Sequence, residues 1–301
     1  MNGFILGILQ QSLIFSIAVM GIYITYKILK FADLSADGSF TLGASVSAIL
    51  IIKGFNPFIS LAFSMLTGAL AGIVTGVLNV KFKIQDILSS ILVMIGLYSI
   101  NLRVMGMANL PLFNEKSIFT DRNILLVIFI FASICGIFFT LFYKTKLGYL
   151  LKGIGDNENM IISLGINTGS IKIFALSLSN AFIALAGGIL AQYQGFSDIN
   201  MGTGIMIMGL ASIIIGFSIF RNINFSNSSI LCILGTLVYR ACIALSLRAG
   251  FNPSDLKLIS SIIVIIALSI GNSRGLFQKY ALKKENTKYP SKLEEVGSRN
   301  A

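Results

Sequence analysis

Apolar runs of roughly twenty residues recur along nearly the whole of this chain, separated by short polar breaks. They fall at about 3–29, 38–52, 57–80, 86–106, 122–143, 169–193, 203–220, 227–247 and 254–271. A run of ~20 apolar residues is what an α-helix needs to cross a bilayer core. Within lipid the helix also satisfies its own backbone polar groups. The chain therefore reads as all-α, a polytopic transmembrane helical bundle of eight to nine membrane segments, with no sizeable soluble domain. The second and seventh runs are short for a full crossing. The first run is too long for a cleavable signal, and Lys27 and Lys30 follow it rather than precede it, so it reads as the first span.

Charge sets the direction. Hydrophobic residues make up 55% of the chain, charged ones 12%, and the net charge is +11. With the N-terminus outside, 16 lysines and arginines fall on the inner side and 5 on the outer, which follows the positive-inside rule. The inner set is Lys27, Lys30, Lys81, Lys83, Lys144, Lys146, Lys152, Lys172, Arg221 and the basic residues from Arg274 to Arg299. Basic residues placed at span ends leave no soluble surface for a nucleic acid partner. The partner they imply is the lipid bilayer. Residues 1–272 form the membrane domain, and 273–301 a solvated cytoplasmic tail.

Several chemistries are excluded. The chain has no histidine, and Cys135, Cys232 and Cys242 lie singly inside apolar runs, so neither a metal site nor a metal cofactor is expected. No Gly-x-x-x-x-Gly-Lys-Ser/Thr occurs, so the chain carries no Walker A loop of its own. No catalytic constellation is visible either, and the chain reads as a non-enzyme.

A repeat runs through the membrane domain. Phe31-Ala-Asp33-Leu34 and Phe196-Ser-Asp198-Ile199 stand 165 residues apart, each after a long span and before a short Gly/Ser-rich one. The same shift lays spans one to four on spans six to nine. The odd fifth span between the copies makes the second run in the opposite sense, the inverted repeat of many transporters. The first break, Asp33 to Thr41, holds Asp33, Ser35, Asp37, Gly38, Ser39 and Phe40. Asp37 or Ser39 can cap the half-helix that follows, whose N-terminus would suit a carboxylate. The second break, Gln192 to Thr203, holds Tyr193, Phe196, Asp198, Asn200 and Thr203. There Asp198 could face an ammonium group, and Tyr193 and Phe196 could stack on an apolar side chain. Each break reads equally as an ordinary capped loop at the membrane surface. Gly68, Gly72 and Gly76 make a small-residue ridge for close helix packing. Arg103, near a span end, can snorkel. Arg240, deeper, either pairs within the bundle, with Asn79 or an acidic residue, or serves the substrate pathway.

Residues 144–167 break the apolar pattern on the inner side. Leu147, Leu150, Leu151 and Ile154 share one helical face. Asp156 is placed to cap a second short helix and Gly165 to close it. Two short amphipathic helices on one aqueous side suit the docking of another protein.

The pattern Gly148-x-x-x-x-Gly153-x-Gly155-Asp156-Asn157-x-x-Met160-x-x-x-Leu164-Gly165-Ile166-Asn167 resembles the cytoplasmic coupling segment of ABC importer permeases of the branched-chain amino acid and ribose class. The two aspartate breaks are similar to those of an amino acid permease subgroup described as carrying tryptophan or tyrosine. The resemblance covers about residues 3–272. It implies a permease of the bacterial cell membrane, working with an ATP-binding subunit, an external substrate-binding protein and a second permease chain. It places Gly148, Lys152, Gly155, Asp156, Asn157, Met160, Leu164 and Gly165 at the ATPase contact. An ion-coupled secondary transporter using Asp33, Asp37 or Asp198 is the alternative from a different class.

Overall fold

The computed structural model describes residues 2–112, 115–120, 122–220, 228–251, 255 and 258–265. Within them the chain forms α1 (Asn2–Tyr23) continuing as a π-helical turn (Ile24–Leu29), then α2 (Ser35–Ile52), α3 (Pro57–Val80), α4 (Asp86–Met105), β1 (Asn109–Pro111) and α5 (Ile124–Tyr143). After these come α6 (Lys146–Asp156), α7 (Glu158–Ser163), α8 (Thr168–Gln194), β2 (Phe196–Asp198), α9 (Ile205–Ile219) and α10 (Ser228–Arg248). Residues 258–265 are helical. Seven of these helices, α1 with its π turn included, are long and apolar enough to cross a membrane; α9, at 15 residues, is about 22 Å long and falls short. The 273–301 tail and Arg221 lie outside the described residues, as does all but 255 and 258–265 of the ninth span.

The helix ends follow local chemistry. Pro57 opens α3 behind Asn56, whose side chain accepts from the Phe58 N–H. Gly106 and Gly195 close α4 and α8 in the left-handed conformation. The end of α1 is less ordinary. Its last six residues widen into a π-helix, and Lys30 turns the chain at φ 57°.

The core is built around α1 and α8, the matching first helices of the two copies. Shifting Asn2–Leu29 by 165 gives 167–194, nearly the extent of α8. The two run antiparallel, because Tyr193 donates to Gln10 (3.0 Å) and Ser179 donates to the Gly21 carbonyl (2.8 Å). α8 carries α2 and α3, and α1 carries α9 and α10, so each first helix seats the other copy's pair. α2 follows α8 in direction, with Asp33 beside Asn180 and Ser47 beside Gln192. α9 follows α1, with Gly209 against Ile22 and Phe217 stacked on Tyr23. The copies are thus inverted, and α2 and α9 set out in opposite directions.

The glycine ridge serves the packing the sequence suggests. Gly68 and Gly72 bring α3 onto the α8 backbone so closely that an added β-carbon would overlap the Ala184 methyl and the Leu176 carbonyl; at Gly76 it would sit 2.9 Å from the Ile173 α-carbon. Backbone cannot retreat as a side chain can. Gly72→Leu should therefore destabilise the folded chain by about 3 kcal/mol. Thermal unfolding of the detergent-solubilised protein measures this, and an unchanged midpoint would show that α3 and α8 tolerate separation.

One element escapes the sequence reading. Asn109–Pro111 pairs antiparallel with Phe196–Asp198, in the register Asn109↔Asp198, Leu110↔Ser197, Pro111↔Phe196. This small ribbon ties the segment after α4 to the second break.

Candidate functional site

The start of α2 is held by Asp33, not by the residues that helical spacing favours. Asp33 is completely buried. One carboxylate oxygen accepts from the Ser35 N–H (3.0 Å) and the Ser35 hydroxyl, and the other accepts from the Asn180 amide (2.8 Å). Thr75 donates to the Ser35 hydroxyl oxygen at 3.2 Å. One polar chain therefore pins α2 to α3 and α8. The expected capping of α2 by Asp37 or Ser39 is corrected here, because the helix begins at Ser35 and both residues lie inside it.

Asp37 instead caps the other copy. Its two oxygens accept from the Gly204 N–H (2.8 Å) and the Met206 N–H (2.9 Å) at the start of α9. Nearby, Gly202 donates to Thr41 Oγ1 (3.1 Å) and approaches so closely that a β-carbon would overlap the Asp37 carbonyl. Two helix N-termini, each with partial positive charge, thus meet inside the bundle, and the carboxylate of one answers the orphan N–H groups of the other. Two cavities flank the junction and share Thr203. One, of about 290 Å³, is bordered by Asp37, Gly38, Thr41, Tyr98 and Asn101. The other, of about 380 Å³, is bordered by Phe15, Gly204, Ile205, Tyr239 and Arg240. Ser39 and Phe40 lie off the cavities, buried; Phe40 stacks on Phe15 at 5.9 Å between centroids.

The second break lies mostly outside this junction. Besides donating to Gln10, Tyr193 meets Phe119 edge to face. Phe196 sits in β2. Asp198 accepts from the Asn200 N–H (2.8 Å) and the Asn109 amide (3.3 Å), the office of a turn residue, and the exposed Thr203 donates to the Asn200 carbonyl. Asp198→Asn keeps an acceptor at that turn, so uptake should change less than about twofold, within the ordinary range for surface substitutions. A drop beyond tenfold in a transport assay would put the Asp198 charge on the path.

Between α5 and α8, α6 and α7 are the two short helices the sequence suggests. α6 buries Leu151 and Ile154 of the expected face, with Leu150 partly buried and Gly148 beside them, while Leu147 is exposed. Asp156 does not cap α7. Asn157 does, accepting from the Met160 N–H at 3.2 Å, because Asp156 ends α6 and turns to Lys30 at 3.0 Å. Gly165 follows α7 at φ 75°, as a closing residue should. Gly155 lies flat against the end of α1, where a β-carbon would overlap the Ile28 carbonyl oxygen. Glu158 joins α7 to α8, bonding Lys172 (2.6 Å) and Thr168 (2.9 Å). Burial alone would raise its carboxyl pKa; those two hydrogen bonds and the ammonium charge hold it below the ordinary value. Lys152, exposed, borders a cavity of about 630 Å³ with Lys27, Lys30 and Tyr143. Met160 and Leu164 are 60% and 63% exposed, part of an outward apolar face with Tyr149 and Ile162.

The two intramembrane arginines separate. Arg103 is exposed in the last turn of α4, where a cation suits the helix dipole. Arg240 does not meet Asn79, which bonds Asp86 and the Ile84 carbonyl. Its guanidinium lies over the Phe15 ring, 3.5 Å from the centroid. The sequence reading passes over Asn180 and Gln192. Gln192 gathers the Ser47 and Ser60 hydroxyls, the Pro57 carbonyl and the Ile118 N–H. Both are polar residues within a long span, the signal that marks them.

Comparison with known proteins agrees with this architecture. A family model described as the permease component of a branched-chain amino acid transport system matches residues 4–269. The chain is similar to the tyrosine transport system permease protein of Clostridioides difficile, at 48% identity over 96% of this chain and 97% of that one. It is 35% identical to an uncharacterized protein of Rickettsia prowazekii, over 87% and 95% of the two chains. The ribose import permease of Escherichia coli is 26% identical over 70% of this chain and 68% of its own. No solved structure matches at a significant level. Seven apolar membrane-length helices, two inverted copies and a match over nearly the whole membrane domain agree: the chain is a multi-pass membrane protein of the branched-chain amino acid transport permease family.

Proposed function

We propose that the chain is the membrane-spanning subunit of an ATP-driven ABC importer of the bacterial cell membrane, carrying an amino acid, with an aromatic one favoured. The observation that carries this reading is the cytoplasmic unit α6–α7. It grips α1 through Gly155 and the Lys30–Asp156 pair, and α8 through Glu158, so it holds the first helix of both copies. Its outward side leaves Tyr149, Met160, Ile162 and Leu164 uncovered. An apolar face of this kind on the aqueous side fits a protein partner, and the ATP-binding subunit typical of the family is the partner it serves. The aromatic substrate rests on the name of the 48% identical relative. An external binding protein would deliver the solute, and a second permease chain would complete the path.

In this mechanism closure of the ATP-binding subunits shifts α6 and α7. The shift passes through the π turn to residues 31–34, and so to Asp33 and the start of α2. It passes through Glu158 to α8, on which α2 and α3 ride. The α2–α9 junction, where helix N-termini meet between two cavities, is the element that rocks. The ion-coupled alternative is less well supported, because both oxygens of Asp33 and of Asp37 already accept protein hydrogen bonds. A docking test is direct. Met160→Glu combined with Leu164→Glu should release the ATP-binding subunit from the purified complex. Retention at the wild-type ratio would contradict docking on this face.

A further inference from the structure

Arg240 occupies a place that packing does not explain. It lies twelve residues into α10, at the level where α9 begins. A cation at such depth is costly and needs a compensating anion. Among the described residues no carboxylate lies within salt-bridge distance of it. Its Nε is fully buried with no hydrogen-bond acceptor among those residues. The Phe15 ring face offsets some of this cost, but a ring gives an N–H donor no lone pair. Asp37, at the start of α9, is committed to the N–H groups of Gly204 and Met206.

The guanidinium borders the 380 Å³ cavity, whose other walls include Met208, Tyr239, Ile243 and Ser260. Tyr239 is hydrogen-bonded by Ser260. A cation, four hydroxyls (Thr203, Tyr239, Ser260 and Ser261) and an apolar, aromatic wall in one cavity match an organic anion of small size. An aromatic amino acid presents its carboxylate in the form a guanidinium binds best, two oxygens for a planar fork. The geometry points to this cavity as the subsite that takes the substrate's carboxylate in transit, with Arg240 as its binding residue. The inference deepens the reading of the chain as an amino acid permease and rests on it.

The test uses the absence of tryptophan from the sequence. Phe15→Trp keeps an aromatic face on Arg240 and supplies a single fluorescent reporter beside it. Purified full-length protein carrying this change is titrated with L-tyrosine and with tyramine, which lacks the carboxylate. L-tyrosine should shift the emission saturably, and tyramine should require at least tenfold higher concentration. Arg240→Gln in the same background should abolish the L-tyrosine response, and Arg240→Lys should weaken it while retaining it. Circular dichroism of each variant confirms that the helices persist. Equal responses to tyramine and L-tyrosine, an unchanged response in Arg240→Gln, or no response to L-tyrosine would each overturn the subsite. ATP-driven L-tyrosine uptake by the assembled wild-type transporter separates the two levels. Uptake with a silent reporter refutes the subsite alone, and absence of uptake refutes the substrate reading beneath it.

Discussion

Gly155→Leu should reduce ATP-driven uptake at least tenfold while leaving the protein inserted in the membrane. Gly155 touches α1 without a side chain, and even a β-carbon would overlap the Ile28 carbonyl oxygen. The obstructing atom belongs to the backbone of the π turn, which Lys30 closes in a left-handed conformation and cannot easily shift. Leucine must therefore lift α6 away from α1 and strain the neighbouring Lys30–Asp156 pair. Overpacking of this kind costs about 1–3 kcal/mol. That is small against the whole bundle but large for the seat of one eleven-residue helix. The expected signature is uncoupling: ATP hydrolysis by the complex continues, and uptake no longer follows it. Paired measurement of both rates in proteoliposomes checks this. Parallel loss of both would indicate failed docking, and wild-type uptake would show that the α6–α1 contact transmits nothing. Removing the ion pair is the milder companion experiment, since both partners are more than half exposed and such pairs contribute about 1 kcal/mol or less.

Asp37→Ala should be at least as damaging, by a different route. It strips the acceptor from two N–H groups at the start of α9, one partly buried and one fully so. Loss of an N-cap costs about 0.5–2 kcal/mol, and a buried donor left without an acceptor adds about 1–3 kcal/mol. The sum, roughly 1.5–5 kcal/mol, falls on a helix of fifteen residues whose start lies between the two cavities that share Thr203. Uptake should drop about a hundredfold, and amide exchange in the first turn of α9 should accelerate. Asp37→Asn keeps one acceptor and should show an intermediate loss. If Asn and Ala behave alike, the charge of Asp37 rather than its capping geometry is what the junction needs.

The spans were legible in the sequence because lipid imposes a length and an apolarity that few other environments require. Eight of the nine runs coincide with helices to within a few residues, and helical residues 258–265 fall inside the ninth. The repeat was legible because both copies kept their polar breaks at one spacing. What spacing could not give was the partner of each polar group. Asp37 lies in the first turn of α2, so local logic assigns it to that helix. In the folded chain it serves a helix 167 positions away, because inversion of the second copy brings the two helix starts together. Asp156 misled in the same manner: its sequence neighbours suggest a cap, but the left-handed turn at Lys30 places an ammonium within reach. The two short helices were predictable from amphipathicity, and Leu151 and Ile154 are buried as their spacing suggests; the close contacts of Gly148 and Gly155 were not, because a residue without an apolar side chain leaves no mark in such a pattern. Strand β1 carries almost no pattern of its own; its pairing depends on β2, far along the chain.

The central claim is that this chain is a passive gate moved from its cytoplasmic side by a separate ATP-hydrolysing subunit. Its most direct test is uptake of labelled L-tyrosine into proteoliposomes holding the assembled complex, with ionophores present to collapse every ion gradient. The account predicts accumulation that requires ATP and the ATP-binding subunit and that continues without any gradient. Accumulation by the chain alone, driven by a proton or sodium gradient and indifferent to ATP, would contradict it.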